Sequence, residues 1–500
     1  MSASFRGYGA PRCRVILAAS GIGLLGLGGC TLGPDFKRPD VISPSGFEAE
    51  PRDVAGTTYG GPVDIAWWKR FNDPELNHLI DRLAVQNIDL QRGMQRIAEA
   101  RSQTRIAAAQ GLPSLNWAGS YARTHQSETG FISLVQPRAG APNEYDFFQN
   151  TLGASWDLDL FGQIRRAVEA QHATQEAAVE ARHGLALSTL ATLVDSYMQL
   201  RGVQDQIGIT ERHMAVSDHD VALVESRFGN GAATTLDLAQ ARTEQANTAS
   251  ALPSLRNAES ALINAIGLLL DEPPRSLSDE LARHDGTMPG IVPNAPIGLP
   301  SALARRRPDI REAEARLHAA TAGVGVAIAA FYPDITLTGQ MGTQTLSAAS
   351  FFSLPSRQFA TGPTLSVPLF EGGRLRGTLA LRKAEQKDAA LAYRHTVTTA
   401  WNEVDNALTA YAQSQKRLVQ TQTAWQESRK AVAIARVRYS EGAVDFLQVD
   451  AAETAALAAE AAYSANRIQV ATAFVSLYRA LGGGWEYGPF MENNAEKSLR

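Results

Sequence analysis

An α+β membrane protein with two internal repeats is the fold class that the sequence predicts. Three observations carry it: two long proline-free runs with a heptad stripe, a pair of alternating segments before each run, and short markers that occur once in each half. Arg227-Phe228-Gly229-Asn230-Gly231-Ala232 recurs as Arg438-Tyr439-Ser440-Glu441-Gly442-Ala443. Leu158-Asp159-Leu160-Phe161-Gly162-Gln163-Ile164-Arg165 recurs, with a small insertion, as Val367-Pro368-Leu369-Phe370-Glu371-Gly372-Gly373-Arg374. The two halves therefore share one layout.

The proline-free runs span residues 143–252 and 369–488. In the first, apolar or small residues fall seven apart at Val179, Ala186, Leu193, Leu200, Ile207, Met214, Val221 and Phe228; in the second they do so at Val404, Tyr411, Leu418, Trp425, Val432 and Tyr439. A strict seven-residue period is the mark of helices that wind around partners. A helix of about 65 residues reaches on the order of 100 Å at about 1.5 Å per residue, far more than a globular core requires. Taken alone, such helices fit a rod-like structural coiled coil.

Before each run lie two segments of period two, the signature of strands whose two faces meet different surroundings. Leu115, Trp117 and Tyr121 oppose Asn116, Ser120 and Ala122, and Leu152, Ala154, Trp156 and Leu158 oppose Thr151, Ser155, Asp157 and Asp159. The second half answers with Ile335, Leu337 and Met341 against Thr336, Thr338 and Gln340, then Phe359, Pro363, Leu365, Val367 and Leu369 against Thr364 and Ser366. Each segment has about the ten residues of a tilted transmembrane strand. Hairpins packed on a soluble helical core have the same pattern, so other features must decide.

The N-terminus favours the membrane. Arg6, Arg12 and Arg14 precede an apolar run from Val15 to Leu27, too short for a permanent span and typical of a secretory signal. It ends in Leu27-Gly28-Gly29-Cys30, similar to a bacterial lipobox, which makes Cys30 the candidate lipidated first residue of the mature chain. Cys13 would leave with residues 1–29, so no disulfide framework or thiolate metal site is expected. The same cleavage removes three arginines and no acid, leaving 44 basic and 51 acidic side chains, a net charge of −7. That balance excludes a typical nucleic-acid binder. No apolar run reaches the length of a helical span, and four strands are too few to close a barrel, so spanning strands would be shared by two or three protomers.

Signals for chemistry are weak, and no enzyme is expected. Gly21-Ile22-Gly23-Leu24-Leu25-Gly26 satisfies G-x-G-x-x-G but lies inside the signal with no preceding strand. The nine histidines show no ligand spacing, and no cofactor or soft-metal cluster is expected beyond the lipid on Cys30. Arg305, Arg306 and Arg307 beside Asp309, Glu312 and Glu314 read as a solvated ion-pair network at a helix start, with Ser301 as its candidate N-cap.

Several separated stretches resemble one family. Cys30-Thr31-Leu32-Gly33-Pro34-Asp35-Phe36-Lys37-Arg38-Pro39, then Trp67-Trp68 with Phe71, Asp73-Pro74 and Leu76, resemble the start of TolC-like outer-membrane efflux channels of the lipoprotein (NodT or OprM-like) branch. Gly298-Leu299-Pro300-Ser301, Arg306-Arg307-Pro308-Asp309-Ile310, Ala313-Glu314 and Phe331-Tyr332-Pro333 match its middle, and Leu477-Tyr478-Arg479-Ala480-Leu481-Gly482-Gly483-Gly484-Trp485 matches its end.

The resemblance implies a homotrimer with a 12-stranded transmembrane β-barrel, four strands from each protomer, continuous with a long periplasmic α-helical coiled-coil barrel. It implies a passive exit duct for small molecules such as drugs or toxic compounds, held in the bacterial outer membrane by a lipid anchor and extending into the periplasm. A periplasmic adaptor and an inner-membrane pump of the resistance–nodulation–division type are the implied partners. An exit channel for secreted polypeptides, or a lipid-anchored scaffold with no pore, remains open as an alternative.

The corresponding layout places a signal at 1–29, a lipidated belt segment at 30–66, a first repeat at 67–270, a linker at 271–300, a second repeat at 301–481 and a tail at 482–500. Strands are expected at about 113–123, 147–160, 333–342 and 359–370, long helices at 162–228 and 373–440, and return helices at 234–270 and 445–481. Residues 124–146 and 343–358 would be extracellular loops. The glycine turns at 229–233 and 440–443 would be periplasmic tips, with Gly231, Gly442, Arg227 and Arg438 facing the adaptor. Asp450 falls where the family has a constricting, cation-binding acid, while Asp237 and Tyr439 match gate-region positions. Leu447 replaces a second acid and Val444 a gate-linking arginine, and Asp450 also reads as an ordinary helix-face carboxylate.

Overall fold

The computed structural model describes residues 31–39, 58–59, 63–125, 127, 144–282, 295–296 and 305–491. Cys30, Ser301 and the signal segment lie outside them. The described helices are α1 (Pro74–Gln86), α2 (Ile88–Ala109), α3 (Gln163–Gly229), α4 (Thr235–Leu269), α5 (Ser278–Ala282), α6 (Pro308–Ala329), α7 (Arg374–Ser440), α8 (Phe446–Ala480) and α9 (Gly488–Met491). The strands of the main sheet are β1 (Ser114–His125), β2 (Glu144–Asp157), β3 (Asp334–Thr345) and β4 (Arg357–Ser366). A two-residue parallel bridge joins Thr58–Tyr59 to Ala295–Pro296.

Both α3 and α7 have 67 residues, so each extends about 100 Å. Both α4 and α8 have 35, both α2 and α6 have 22, and both β1 and β3 have 12. The heptad residues turn inward: Ala186, Leu193, Leu200, Val404 and Tyr411 are buried, and of the whole stripe only Phe228 is largely exposed. Left-handed Gly162 and Gly373 start the long helices, and the Asp159 carboxylate accepts the backbone N–H groups of Ile164 and Arg165 at the first of these. Pro253 stands inside α4 on an exposed position, and the helix runs through it.

The sheet is antiparallel in the order β1-β2-β3-β4. Its register puts the predicted apolar residues on one face in rows: Trp117, Leu152, Met341 and Phe359 form one, and Trp156, Leu337 and Pro363 another. Asn116, Gly153, Gln340 and Ala360 form a row on the other face. No described residue covers the apolar side, where Trp117 is 71% and Phe359 83% exposed. Among the described residues the outer edges of β1 and β4 have no ladder partner. No described helix is long and apolar enough to cross a membrane.

The main core lies where the belt segments meet the middle of the long helices. Trp67 stacks on Tyr478 with ring centres 5.2 Å apart and donates its indole N–H to the Gly483 carbonyl, which folds the glycine run back over the core. Gly484 adopts φ +119, and a Cβ there would come within 2.6 Å of Leu190. Tyr197 donates to Asp73, which also caps α1 through the N–H groups of Glu75 and Leu76.

Several expected boundaries move. β2 stops at Asp157 and β4 at Ser366, short of 160 and 370, because Asp159 turns to cap α3 and Pro368 offers no ladder N–H. At their other ends β2, β3 and β4 run two or three residues further than the apolar alternation reaches, so part of each expected loop is strand. The helix that carries Asp309, Glu312 and Glu314 begins at Pro308 with Arg307 in the capping position; Arg305 and Arg306 are helical before it, and Ser301 lies outside the described residues. Nor is Arg307 solvated: it is buried, pairs with Asp309 at 2.7 Å and Glu403 at 2.6 Å, and donates to the Ala480 carbonyl at the end of α8. Trp485 and Phe490 are also buried, which makes the described part of the tail core rather than periphery.

Candidate functional site

Two features offer functional surfaces, the bare sheet at one end and the paired helical tips at the other. At each tip the helix ends in the same glycine turn. Ala232 donates to the Arg227 carbonyl and Gly231 to Phe228; Ala443 donates to Arg438 and Gly442 to Tyr439. Gly231 and Gly442 take φ +73 and +70, the left-handed geometry that ends helices in this pattern. Thr234 and Asp237 then form a reciprocal capping box on α4, and Asp445 caps α8 through the N–H of Gln448.

The tips have a small core of their own, formed by Val221 and Val224 of α3, Ala241 of α4, Tyr439 of α7, and Phe446 and Val449 of α8. Arg227 places its guanidinium 4.1 Å from the centre of the Tyr439 ring, and Phe446 meets that ring edge-on at 5.8 Å. Arg438 is exposed, and so are Leu447 and the glycines. Within the protomer the Asp237 carboxylate is bound to its own helix start, at 2.7 Å from the Thr234 N–H and 2.8 Å from its hydroxyl.

Asp450 is half-buried on α8, and its pKa is raised by burial first and by the Asp220 carboxylate second. Beside it is a group that the sequence reading missed. Arg436 of α7 lies 2.6 Å from Glu453 of α8 and 3.5 Å from Asp220 of α3. Burial, then a hydrogen bond shared with Asp220, push Glu453 up to about 7, against the pull of Arg436. A signal for this group exists. With the halves aligned on Arg227 and Arg438, Arg436 and Glu453 fall on Glu225 and Arg242, which form a 2.8 Å ion pair of reversed polarity.

At the other end, residues 31–38 lie against the base of the sheet. Leu32 donates to the Phe161 carbonyl, while Arg166 donates to the Leu32 carbonyl and pairs with Asp35 at 2.7 Å. Phe36 stacks on His318 at 4.6 Å, and Arg38 pairs with Glu314 at 2.6 Å. Gly162 makes room for this strap, because a Cβ there would sit 2.9 Å from the Thr31 Cα. Thr31, which follows Cys30 in sequence, is thereby held at the junction of sheet and helices.

Among the described residues one triad has metal-ligand types within reach of one another, Glu75, His78 and Glu280. Glu280 is already paired with Arg82 at 3.2 Å, and His78 is exposed.

The chain matches the family model "Outer membrane efflux protein" over residues 79–268 and 299–483. Outer membrane protein OprJ of Pseudomonas aeruginosa is 32% identical over 93% of this chain and 95% of its own length. The toluene efflux pump outer membrane protein TtgF of Pseudomonas putida is 31% identical over 92% and 95%, and the cation efflux system protein CusC of Escherichia coli 30% over 92% and 97%. Among solved structures, the outer-membrane channel OprN superimposes with a TM-score of 0.83 at 33% identity, covering 91% of this chain and all of that one. The helices, the sheet and these matches lead to one assignment: the chain belongs to the outer membrane efflux protein family, a family of channel-forming proteins of the outer membrane and not of enzymes.

Proposed function

We propose that the protein is the passive exit duct of a tripartite efflux assembly: a lipid-anchored homotrimer whose three sheets close one 12-stranded barrel above a barrel of helices. The observation that carries this reading is the sheet itself. Among the described residues its apolar face has nothing over it and its two outer edges have no partner, and lipid cannot satisfy those edges. Closure on neighbouring copies pairs both edges and leaves the polar rows lining a water-filled interior. Equal element lengths in the two halves support reading them as repeats that alternate around the axis.

Cys30 with its acyl chains holds the base of the sheet at the membrane surface, and the tips meet a periplasmic adaptor through Gly231, Gly442, Arg227 and Arg438. An inner-membrane pump of the resistance–nodulation–division type supplies the energy. The cargo is small toxic molecules, a reading supported by relatives named for toluene and cation efflux.

The repeat also sets the seam. The contact between β2 and β3 pairs Gly153 with Gln340. Matched by ladder partners, Gly153 opposite Asn116 corresponds to Thr364 opposite Thr336, and, counted from Pro113 and Pro333, Gln340 corresponds to Ser120, so in the closed barrel Thr364 of one protomer would face Ser120 of the next. The double variant Ser120→Cys with Thr364→Cys should form a disulfide-linked trimer on denaturing gels, whereas Tyr121→Cys with Thr364→Cys, one residue out of register and on the opposite face, should not. Monomers alone from the first pair would overturn the shared barrel. Planar-bilayer conductance tests the duct, and a folded protein with no conductance would overturn it.

A further inference from the structure

Where α3, α7 and α8 converge above the tips, two carboxylates share one guanidinium. Asp220 and Glu453 have side chains only 11% and 14% exposed, and Arg436 contacts both. One guanidinium balances one carboxylate, so the second must hold a proton or repel its neighbour. The cluster joins the two halves of the chain, since Asp220 is on the first long helix and Arg436 and Glu453 are on the hairpin of the second.

We propose that Asp220, Arg436 and Glu453 form a proton-operated latch, which fastens the α7–α8 hairpin to α3 at low pH and loosens it as pH rises. The proposal rests on reading the tips as the constriction of the duct. Glu453 lines a cleft of about 510 Å³ bounded by α3, α7 and α8. The charged groups against it are Asp220 on α3 and Arg436 on α7, with Asp450 one turn away on its own helix. Further along the cleft are Arg429 and the Glu460 pair with Arg212 and His213.

The direction follows from the proton. In the fastened state Glu453 titrates at about 7, raised by burial and by Asp220. Once the hairpin swings out into water, its carboxyl returns to the ordinary range near 4.5. The fastened state therefore binds the proton more tightly. Its advantage is complete below about 4.5, declines as pH rises toward about 7, and is constant above that. Over this window the ratio of fastened to loosened tips should fall by roughly two orders of magnitude. The Glu225–Arg242 pair at the equivalent place is exposed, one carboxylate with one guanidinium, and no such dependence is expected there.

The test is amide hydrogen exchange of the intact protein in detergent between about pH 5 and about pH 8, corrected for intrinsic rates, beside bilayer conductance over the same range. Wild-type residues 446–460 should lose at least about tenfold in protection across that range, while residues 235–245 stay constant. Glu453→Gln, which keeps the shape and the hydrogen bond without the charge, should stay protected throughout, and so should Asp220→Asn. A wild type without pH dependence, or a Glu453→Gln profile that matches it, would overturn the latch. If protection follows the expected pattern while conductance ignores pH, the latch stands and the reading of the tips as the constriction fails.

Discussion

Arg227 lays its guanidinium over the ring of Tyr439, 4.1 Å from the ring centre, and so joins the last turn of α3 to the last turn of α7. The sequence markers put these two residues at adjacent repeat positions, Arg227 matching Arg438 and Phe228 matching Tyr439. Folding makes them a cross-repeat pair. Tyr439 is buried between that cation and Phe446, whereas its counterpart Phe228 is 42% exposed.

Removing the cation by Arg227→Ala should weaken the tip by about 0.5 to 2 kcal/mol, the usual range for such contacts. Tyr439→Phe keeps the ring and should be close to neutral, but Tyr439→Ala also opens a cavity in the small tip core and should cost about 3 to 5 kcal/mol locally. Hydrogen exchange at residues 221–229 and 436–449 measures both. Equal effects from Tyr439→Phe and Tyr439→Ala would show that the ring is not what Arg227 holds.

The sheet makes a graded prediction. Met341 and Leu152 share a row far from the helices, whereas Trp156, paired with Leu337, donates its indole N–H to the Gly111 carbonyl at the base. In the proposed barrel that contact would put the Trp156 row near the membrane surface, a usual place for tryptophan. Met341→Lys should therefore destabilise the proposed barrel by about 2 to 4 kcal/mol and Leu337→Lys by about 1 kcal/mol or less. Unfolding titrations in lipid bilayers rank the two, and the reverse order would contradict the placement.

Periodicity made much of this fold legible. The heptads and glycine turns located α3 and α7 to within about two residues, and period two located all four strands. It failed where polar contacts rather than apolar rhythm set the outcome. Arg307 was read as solvated because three adjacent arginines suggest a surface, but Gly482 turns at φ +71 against it and Glu403 closes over it from α7. Asp220 precedes the heptad residue Val221 and looks like a solvated neighbour of the stripe. Only the approach of α8, more than two hundred residues later, encloses it beside Glu453.

The strap over Gly162 bears on the anchor. If Cys30 is acylated, the lipid leaves the chain at the level where the sheet meets the helices, and the salt bridges of Asp35 and Arg38 fasten it there. Multiple acyl chains add roughly 0.8 kcal/mol for each buried methylene, enough for stable attachment. Mass spectrometry of the mature N-terminus should find a diacylated or triacylated Cys30, and an unmodified start elsewhere would exclude it. Cys30→Ala behind an ordinary cleavage signal should retain partial function, because the proposed barrel would also hold the protein.

Asp450 tests the constriction from another side. Burial and the Asp220 carboxylate raise its pKa, so it holds its proton to a higher pH than a free aspartate. Three copies brought toward one axis would reinforce that effect, since like charges oppose each other's ionisation. When ionised they would favour a divalent cation. Block by such cations should accordingly weaken as pH falls through the acid range and the ring takes up protons. Asp450→Ala should relieve block at neutral pH without disturbing trimer assembly. Bilayer conductance against divalent concentration, for wild type and Asp450→Ala, decides it: superimposable curves would leave Asp450 an ordinary helix-face carboxylate and assign the constriction to other residues.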